Sequence, residues 1–515
     1  MMMPAAERAW ARRAPWIALP LGAVHSLAFA PFSIWPLGPL CLALLWWLWR
    51  GAPPRRAAWT GFAFGAGLFV TGTYWLYTCI HGFGKAPIAL ALLLMFGLVS
   101  IMGSYSALLG WLIARFEPRA GLWHWLAALP AGWVLMEWFR GWFLSGFPWL
   151  AVGYSQIDTP LAGYAPVLGV YGVSLLGALT AGALCVLAEG RGQARYWPIA
   201  GVILVWAGGY GLTQIEWTRP SGAPLSVALV QGSIPQDQKW QEENRAHTFD
   251  VYRDLTQQAM GARLIVWPES SLPVLYDEAV PFLTGIYQDA QRHGSDLVFG
   301  LIRYEGPNQQ LRNGLVALSR EEEWYYKRRL VPFGEFFPVP AWVRSWMRLQ
   351  SLAYVDFVPG AADQGVLDAG GERLGATICY EDAYAVEQLA VLDRATLLVN
   401  VSNDAWFGDS TAPHQHLQIA RFRALESGRW LLRATNNGIS ALIDPHGRVA
   451  ARTRQFEAEV LKGEVVPRTG LTPYAIVRNW PVLGICTLLL AAAALRRLRE
   501  AGAVPHPKGS RGRRG

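Results

Sequence analysis

Hydrophobic residues are concentrated near the two ends of the chain, and a long polar segment separates the two apolar regions. The first apolar region ends near residue 213 and the second begins near residue 475. Most of their runs have about the length that a helix needs to cross a bilayer. The pattern predicts eight membrane spans, seven before the polar segment and one after it: 15–32, 36–49, 58–79, 87–114, 122–139, 163–188, 196–213 and 476–495.

Two of the predicted spans are irregular. The second is short and Pro20 interrupts the first, so both could tilt or re-enter the bilayer instead of crossing it. The first run also has features of a cleavable signal peptide, because Arg8, Arg12 and Arg13 precede it and Ala28-Phe29-Ala30 lies at its end. A histidine and two prolines interrupt its apolar part, which favours a retained span over a cleaved one.

The polar segment alternates short apolar runs with amphipathic stretches, which is typical of an α/β domain with layered sheets and outer helices. The runs predict strands at 225–230, 264–267, 296–302, 315–318, 324–330, 374–380, 397–401 and 439–443. The amphipathic stretches predict helices at 241–260, 277–293, 383–393 and 414–427. Segments containing proline and glycine, at 219–224 and 466–473, are predicted to link this domain to the flanking spans.

Composition and charge support an integral membrane protein. Only 16% of the 515 residues are charged, and 26 are tryptophan, which favours membrane–water interfaces. Arginine is concentrated in the loops after the second, fourth and sixth spans and near both ends of the chain, whereas the opposite short loops hold only Lys85 and Arg140. The positive-inside bias therefore predicts that both termini are cytoplasmic and that the polar segment lies on the far side, in a bacterium the periplasm.

The expected fold class is a polytopic α-helical membrane protein with an inserted α/β domain. We expect an N-terminal transmembrane domain at 1–218, an extracytoplasmic domain at 219–470, and a final span with a basic cytoplasmic tail at 471–515. The net charge of +8 follows from this sorting of arginine and lysine. A basic cluster beside a membrane span ordinarily meets anionic lipid headgroups, so we expect a lipid bilayer and no nucleic acid as its partner.

Cys379 is the one cysteine of the polar segment, whereas Cys41, Cys79, Cys185 and Cys486 lie in apolar runs. It ends an apolar, β-branched stretch and is followed directly by acidic residues. A single cysteine in an oxidising compartment cannot form an internal disulfide, and its free thiol is a liability unless it is buried or used. Cys379 is therefore a candidate nucleophile, with a buried small apolar residue as the alternative.

Two further strand ends carry candidate catalytic groups. Glu269 follows the apolar run 264–267, where a buried strand is predicted to stop. Lys327 lies on a predicted strand that runs into the turn at Pro332. Each residue alone is more often a solvated turn acid or a strand-edge charge. Glutamate, lysine and cysteine in this order, each with its own flanking pattern, are far more specific.

Several longer motifs accompany these three residues. They are Gly146-Phe147-Pro148-Trp149, Gln238-Lys239-Trp240, Trp267-Pro268-Glu269-Ser270, Val331-Pro332-Phe333-Gly334-Glu335, Cys379-Tyr380-Glu381 and 400–408 (Asn-Val-Ser-Asn-Asp-Ala-Trp-Phe-Gly). The trio resembles the nitrilase superfamily of carbon–nitrogen hydrolases, which carries a Glu-Lys-Cys triad in an αββα sandwich. With seven leading spans and one closing span, nearly the whole chain resembles its membrane-bound family, the apolipoprotein N-acyltransferases.

The resemblance implies a role for each matching residue. Glu269 would be the general base, Lys327 the electrostatic stabiliser and Cys379 the nucleophile. A second group would support the triad or contact the substrate. Its supporting members are Glu335, Tyr380 and Glu381, and its substrate-binding members are Trp149, Trp240, Asn403 and Trp406. For these tryptophans, the alternative is an ordinary interfacial anchor or core residue.

The resemblance also implies the reaction and its partners. Cys379 would take an acyl chain from a phospholipid as a thioester, and the α-amino group of a diacylglyceryl-cysteine at the N-terminus of an apolipoprotein would then accept it. This is the last step of lipoprotein maturation, and it needs no cofactor. We expect a monomeric, multi-pass protein of the bacterial inner membrane. The loop from Pro338 to Val358, which is rich in aromatic residues, is a candidate lipid-facing lid, with an ordinary packed helix and loop as the alternative.

Three alternatives remain open. A membrane-tethered amidase acting on a small amide would share the triad but would not need eight spans. A transporter or sensor with a domain that only binds would place polar residues within the spans, where His25, His124 and Glu137 are the main ones. A metal site at His414 and His416 is disfavoured, because residues two apart do not face together on a helix and no further histidine or cysteine nearby completes a site.

Overall fold

The computed structural model describes residues 5–117, 120–190, 192–336, 342, 345 and 356–502, and of residues 5–12 and 498–502 it describes the backbone alone. Its first part is helical. The helices of this region are α1 (Ala5–His25), α2 (Leu37–Trp49), α3 (Pro54–Gly72), α4 (Ile88–Phe116), α5 (Leu129–Arg140), α6 (Ala165–Glu189) and α7 (Trp197–Leu212). Each of the seven predicted leading spans overlaps one of them.

Three stretches of helix, among the residues described, are long and apolar enough to cross a membrane. They are Ile88–Phe116, Pro160–Glu189 and Trp480–Arg497, and Leu37–Trp49 is a shorter apolar helix. Leucines on the outer surface of these and neighbouring helices, such as Leu93, Leu204 and Leu488, are exposed. The helical region buries a core of its own that includes Trp46, Phe64 and Trp133. Exposed aliphatic side chains around such a core are what a lipid environment favours.

The middle of the chain forms an α/β region with two six-stranded sheets. The strands are β1 (Arg219–Pro220), β2 (Leu225–Gln231), β3 (Leu264–Val266), β4 (Asp296–Glu305), β5 (Gln310–Leu318), β6 (Glu322–Tyr326), β7 (Leu367–Ala369), β8 (Glu372–Ile378), β9 (Leu397–Ser402), β10 (Leu431–Thr435), β11 (Ala441–Ile443), β12 (Val449–Arg452), β13 (Glu459–Val465) and β14 (Arg468–Thr469). One sheet has the order β13-β2-β3-β4-β5-β6 and the other β12-β11-β10-β9-β8-β7, while β1 pairs with β14.

Helices cover the outer face of each sheet, which makes a four-layered α-β-β-α arrangement. These helices are α8 (Arg245–Ala259), α9 (Tyr276–Arg292), α10 (Ala385–Leu389), α11 (Ala412–Ser427) and α12 (Pro473–Val477). The last helix, α13 (Trp480–Gly502), covers no sheet, and its Val482 and Cys486 join the core of the helical region instead. One cluster joins apolar residues from the facing sheets, including Val266 of β3 and Ile378 of β8. Two more clusters pack helices onto the sheets, and burial of these faces is the main stabilising term of such a sandwich.

Helix α11 lies between the second sheet and the helical region. Its Leu417 and Ala420 join the cluster on the sheet side, whereas Ile419 and Phe422 join the core of the helical region. A helix that packs on both sides needs apolar or paired polar residues all round. The α/β region is therefore packed directly against the helices that precede it.

Some element boundaries differ from the sequence prediction. The strand predicted at 324–330 ends at Tyr326, the one predicted at 374–380 ends at Ile378, and the helix predicted at 383–393 spans only Ala385–Leu389. Strands β1, β7, β10, β12, β13 and β14 were not predicted, and β1 and β14 lie in the two predicted linkers. Strand β10 is fully buried, but Arg433 interrupts its apolar pattern, and the others are short or half-exposed. All of them are strands because neighbouring strands pair with them.

Candidate active site

The three candidate catalytic residues follow the ends of strands in both sheets. Glu269 comes shortly after β3, and Lys327 directly follows β6 in the same sheet. Cys379 directly follows β8 of the facing sheet. The predicted strands 324–330 and 374–380 included Lys327 and Cys379, so both predictions are wrong on this point, because each residue lies one position beyond the end of its strand. The sandwich brings the three strand ends to one edge, where the three side chains interact electrostatically.

The Glu269 carboxylate is buried and held by three donors. Its Oε1 lies 3.2 Å from Lys327 Nζ and accepts a hydrogen bond of 2.7 Å from Asn313 Nδ2. Its Oε2 accepts a hydrogen bond of 2.9 Å from the backbone N–H of Asn403. Strand β4 passes so close that a Cβ on Gly300 would lie 2.6 Å from Glu269 Cα, so only glycine fits there. These contacts keep one carboxylate orientation relative to the lysine.

Lys327 binds a second carboxylate, that of Glu335. Its Nζ lies 2.8 Å from Glu335 Oε1, which also accepts from Asn313 at 3.1 Å. Glu335 Oε2 accepts from the backbone N–H of Val331 at 2.8 Å, which fixes the turn after β6. Burial by itself lowers the pKa of Lys327, but Glu269 and Glu335 outweigh it and hold the pKa well above its ordinary value. Lys327 therefore keeps its positive charge throughout the physiological range.

Cys379 adopts a backbone conformation that is uncommon for any residue other than glycine. Its φ is +52°, at the point where β8 turns sharply into a short helical turn. The carbonyl oxygen of Cys379 accepts from Asn400 Nδ2 at 3.4 Å and lies 3.3 Å from His416 Nε2. These contacts hold the sharp turn that carries the thiol.

The thiol of Cys379 is held in its neutral form. Desolvation by the surrounding protein raises its pKa well above the usual range, the Glu269 carboxylate raises it further, and Lys327 opposes both. A side-chain hydrogen bond with Ser402 also favours the thiolate. A neutral thiol is a weak nucleophile, so attack requires a base to take its proton. Glu269 is the carboxylate whose charge acts on this thiol most strongly.

Glu381 ties the lysine turn to the cysteine turn. Its Oε2 accepts from the backbone N–H of Ile378 at 2.7 Å and from the hydroxyl of Tyr325 at 2.9 Å. Its Oε1 accepts from the backbone N–H groups of Arg328 and Arg329, at 2.5 and 3.1 Å. One buried carboxylate thus binds both the turn after β6 and the end of β8. It fixes the distance between the turns that carry Lys327 and Cys379.

The remaining residues singled out from sequence fall into two groups. Asn403 and Tyr380 lie beside the triad, and Trp149 is buried behind Tyr380, with which it stacks at a ring distance of 6.2 Å. Trp240 and Trp406 are exposed at the surface, at 52% and 41%. Asn403 Nδ2 also donates to Gln236 Oε1 at 2.8 Å. Of the candidate lid 338–358, only 342, 345 and 356–358 are among the residues described, and Trp342 is exposed.

A buried charge network below Cys379 was not recognised from sequence. His416 lies between Asp404, at 3.0 Å from Nδ1, and Asp382, at 3.0 Å from Nε2. Arg433 bridges the same two carboxylates from β10, at 2.9 and 3.3 Å. Asp382 and Asp404 follow the ends of β8 and β9, and these acidic residues were a signal for the network. Its third charged partner, Arg433, lies on β10, a strand that the sequence pattern did not predict.

A metal at the histidines has no support in this geometry. Both ring nitrogens of His416 already have partners, Asp404 at Nδ1 and both Asp382 and the carbonyl of Cys379 at Nε2. His414 lies on another face of α11 and is partly exposed. Within the described part of the chain, no group of three or more histidine, cysteine or acidic side chains is arranged to hold a metal ion.

Comparison with family models divides the chain into two matched regions. Residues 21–183 match the apolipoprotein N-acyltransferase N-terminal domain, and residues 226–474 match carbon–nitrogen hydrolase. The second match agrees with the α-β-β-α arrangement of the two sheets and their helices. The fold is therefore a carbon–nitrogen hydrolase fold joined to a helical N-terminal region with several apolar helices.

Curated relatives are similar over almost their full length. The chain is 42% identical to the apolipoprotein N-acyltransferase of Methylococcus capsulatus over 492 residues, covering 95% of this chain and 97% of that protein. It is 44% identical to that of Azotobacter vinelandii over 506 residues, covering 96% and 98%. An amidase from Nesterenkonia is a more distant solved structure, 22% identical with a TM-score of 0.36, covering 51% of this chain and 96% of its own.

Proposed function

The chain belongs to the apolipoprotein N-acyltransferase family, and from this membership we propose that it transfers an acyl chain from a phospholipid to the N-terminal diacylglyceryl-cysteine of an apolipoprotein. It is an acyltransferase with a carbon–nitrogen hydrolase region. The observation that carries the proposal is the meeting of Glu269, Lys327 and Cys379 at one edge of the sandwich. That edge lies in a region packed directly against apolar helices.

The first half-reaction forms a thioester. Glu269 takes the proton of the Cys379 thiol as the sulfur attacks the ester carbonyl of the phospholipid. Lys327, which keeps its charge, stabilises the oxyanion together with backbone N–H groups at the sharp turn. The C–O bond then breaks, and Glu269 returns the proton to the departing alkoxide. The products are an acyl-thioester on Cys379 and a lysophospholipid.

The second half-reaction transfers the acyl group to an amine. The neutral α-amino group of the lipoprotein's terminal cysteine attacks the thioester, and Glu269 takes its proton. The C–S bond breaks, an amide forms, and the proton passes to the thiolate of Cys379. Glu335 positions Lys327, and Glu381 holds the two turns together. Tyr380, next to the nucleophile, orients the thiol or the acyl group. The reaction is thus a ping-pong transfer that needs no cofactor.

Attachment to the bilayer explains why transfer prevails over hydrolysis. We propose that both the donor and the lipid-anchored acceptor arrive from the membrane, guided by exposed aromatic residues that include Trp240, Trp342 and Trp406. An apolar entrance excludes water from the thioester. The protein is proposed to be a monomer of the bacterial inner membrane, with residues 219–470 in the periplasm and both termini in the cytoplasm.

Mass analysis of the trapped intermediate tests the function. Purified protein incubated with a diacyl phospholipid should gain the mass of one acyl group on the peptide that contains Cys379, and hydroxylamine should release it. Adding a diacylglyceryl-cysteine peptide should move that acyl group onto the peptide's α-amine.

Two variants serve as controls for this experiment. Cys379→Ala should carry no acyl group, whereas Cys79→Ala, at the other cysteine that is not fully buried, should behave as the wild type. Release of free fatty acid with no acylated peptide would instead support a hydrolase. Acyl transfer by Cys379→Ala would exclude the thioester route.

A further inference from the structure

Lys239 carries a buried ammonium for which the mechanism above has no use. The side chain is completely buried, and its Nζ has no hydrogen-bond partner among the residues that the structure describes. The neighbouring Trp240 is exposed at 52%, so the turn directs the lysine inward and the tryptophan outward. An isolated ammonium is costly to bury, and such groups persist where they serve a function.

The turn that carries Lys239 is connected to the active site. The backbone N–H of Lys239 donates to the carbonyl of Pro235 at 3.0 Å, which closes the turn. In the same turn, Gln236 accepts from Asn403, whose backbone N–H binds Glu269. The carboxylate that acts electrostatically on Lys239 is that of Glu269. Lys239 therefore lies in a turn that is linked to the general base through Gln236 and Asn403, and its charge interacts with that carboxylate.

The charges around Glu269 show what a second ammonium would do. Among the described residues, the charged or titratable groups that interact with this carboxylate include Lys327, Lys239 and Cys379, and Glu335 lies across Lys327. Farther out, Glu381 acts on Lys327 and Asp404 acts on Cys379. Asn313 and Asn403 contribute neutral donors to Glu269. Lys327 alone has to balance the two carboxylates that it contacts, Glu269 and Glu335. A protonated Lys239 supplies the second positive charge, and the total charge of these four groups and the substrate does not change as the oxyanion forms and Glu269 takes the proton.

We propose that Lys239 is a positioning residue that keeps Glu269 ionised, so that the carboxylate can act as a base in both half-reactions. The inference rests on the proposed acyl transfer and extends it. Lys239 acts through its field, and no proton has to pass through it. Burial lowers the pKa of Lys239 to about 8 while Glu269 opposes the fall, so the ammonium is still protonated at neutral pH.

The decisive measurement is the pH profile of thioester formation in a single turnover. Wild type and Lys239→Met are mixed with a diacyl phospholipid or with p-nitrophenyl octanoate, an uncharged ester without phosphate. The reactions are run at several pH values between pH 5 and pH 9, and quenched samples are then analysed by intact mass. The acid limb of the profile is the pH range in which the rate falls as the solution becomes more acidic. We expect this limb to lie about one to three pH units higher in Lys239→Met than in the wild type, with both donors. At a pH below the acid limb, the acylation rate of Lys239→Met should be lower than that of the wild type by about tenfold for each pH unit by which the limb has moved.

Matched variants separate charge from structure. Lys462→Met makes the same change at an exposed lysine of β13 and should leave the profile unchanged. Lys239→Arg keeps a positive charge and should return the acid limb towards the wild-type position. Because Lys239→Met removes an unpaired buried charge, its melting temperature should equal or exceed that of the wild type.

Three results would overturn the inference. One is an acid limb at the wild-type position with either donor. Another is a lower acylation rate of Lys239→Met with the phospholipid but not with p-nitrophenyl octanoate, which would make Lys239 a phosphate contact. The third is a lower melting temperature together with a wild-type acid limb, which would make its role structural. If the wild type forms no thioester with phospholipid, the proposed function itself fails, whereas a normal wild type with an unaffected Lys239→Met variant refutes only this inference.

Discussion

The carboxylate of Glu426, on the outer helix α11, accepts a hydrogen bond of 2.7 Å from the backbone N–H of Val170. That N–H is free because helix α6 is broken at Gly169, whose φ is +66° and ψ −177°. Arg423 pairs with the other oxygen of Glu426 at 3.0 Å. Glu426 of the α/β region thus caps helix α6 of the helical region where that helix is broken, so the two regions are connected at a defined point.

Gly169→Ala tests this connection. The backbone conformation is one that only glycine adopts readily, and a Cβ would lie 2.3 Å from the ring of Tyr474. We expect a loss of about 1–3 kcal/mol from the backbone conformation alone, seen as a lower melting temperature in detergent. Gly201→Ala, on α7 with open space around the new Cβ, is the matched control and should be neutral or slightly stabilising. An unchanged melting temperature for Gly169→Ala would mean that the break is not required.

Glu269→Gln should prevent thioester formation. The amide keeps the shape of the side chain but cannot take the proton of a thiol whose pKa lies well above its usual range. The single-turnover rate of acylation should fall by about 10²-fold or more. Glu464→Gln, at an exposed carboxylate on β13, provides the control. Acylation of Glu269→Gln at the wild-type rate would show that another base acts.

Lys327→Arg should also be strongly impaired, although the charge is retained. The ammonium is compact and lies between Glu269 and Glu335, at 3.2 and 2.8 Å, in a fully buried space. A planar guanidinium has a different reach and donor geometry, so the donor to the oxyanion is displaced. Loss of one such donor costs about 10²-fold in rate. Near-normal single-turnover acylation, with correct folding shown by the melting temperature, would refute this role.

His416 should make stability depend on pH. Burial and Arg433 lower its pKa, but Asp382 and Asp404 outweigh them and raise it to about 9 from an ordinary value of 6.5. Because the folded state holds the proton more tightly, this contribution is fully present below pH 6.5 and is lost as the pH rises through 9. It amounts to about 3 kcal/mol at 1.36 kcal/mol per pKa unit.

The His416 prediction is checked by thermal melting at several pH values. The difference in melting temperature between wild type and His416→Gln should be largest near pH 6 and should shrink towards pH 9. His414→Gln, two residues away on the same helix and outside the network, should not show this trend, because burial lowers the pKa of His414 and its contribution to stability therefore has the opposite dependence on pH. A difference that does not vary with pH would mean that His416 is neutral in the folded protein.

Topology can be tested with reporters and thiol labelling. The arginine bias predicts that a reporter active only in the cytoplasm works when fused after Arg499 and is silent when fused near Pro224. A membrane-impermeant thiol reagent should label Cys379 on spheroplasts, and peptide mapping distinguishes it from Cys79, which is also not fully buried. The reverse reporter pattern would overturn the orientation and, with it, the periplasmic substrate.

The sequence by itself was enough to single out the candidate trio and to predict most of the elements around it. Leu264 to Trp267 and Leu374 to Ile378 are apolar runs that stop at polar residues, and such runs predict where buried strands end. Glu269 and Cys379 were recognisable because they occupy these ends, and the flanking motifs identified the family. These features are local, so they can be read from a few neighbouring residues.

Only the tertiary structure decided what these residues contact. Asn313, His416 and Arg433 reach Glu269 or the Cys379 turn from 34 or more positions away along the chain, through pairing of strands and packing of α11. Lys239 has the same sequence environment as an ordinary turn lysine, and only the packed fold shows that its ammonium is buried without a partner. Whether a charge is paired, capped or isolated depends on which faces meet across the sandwich, and that is a long-range property that no local pattern contains.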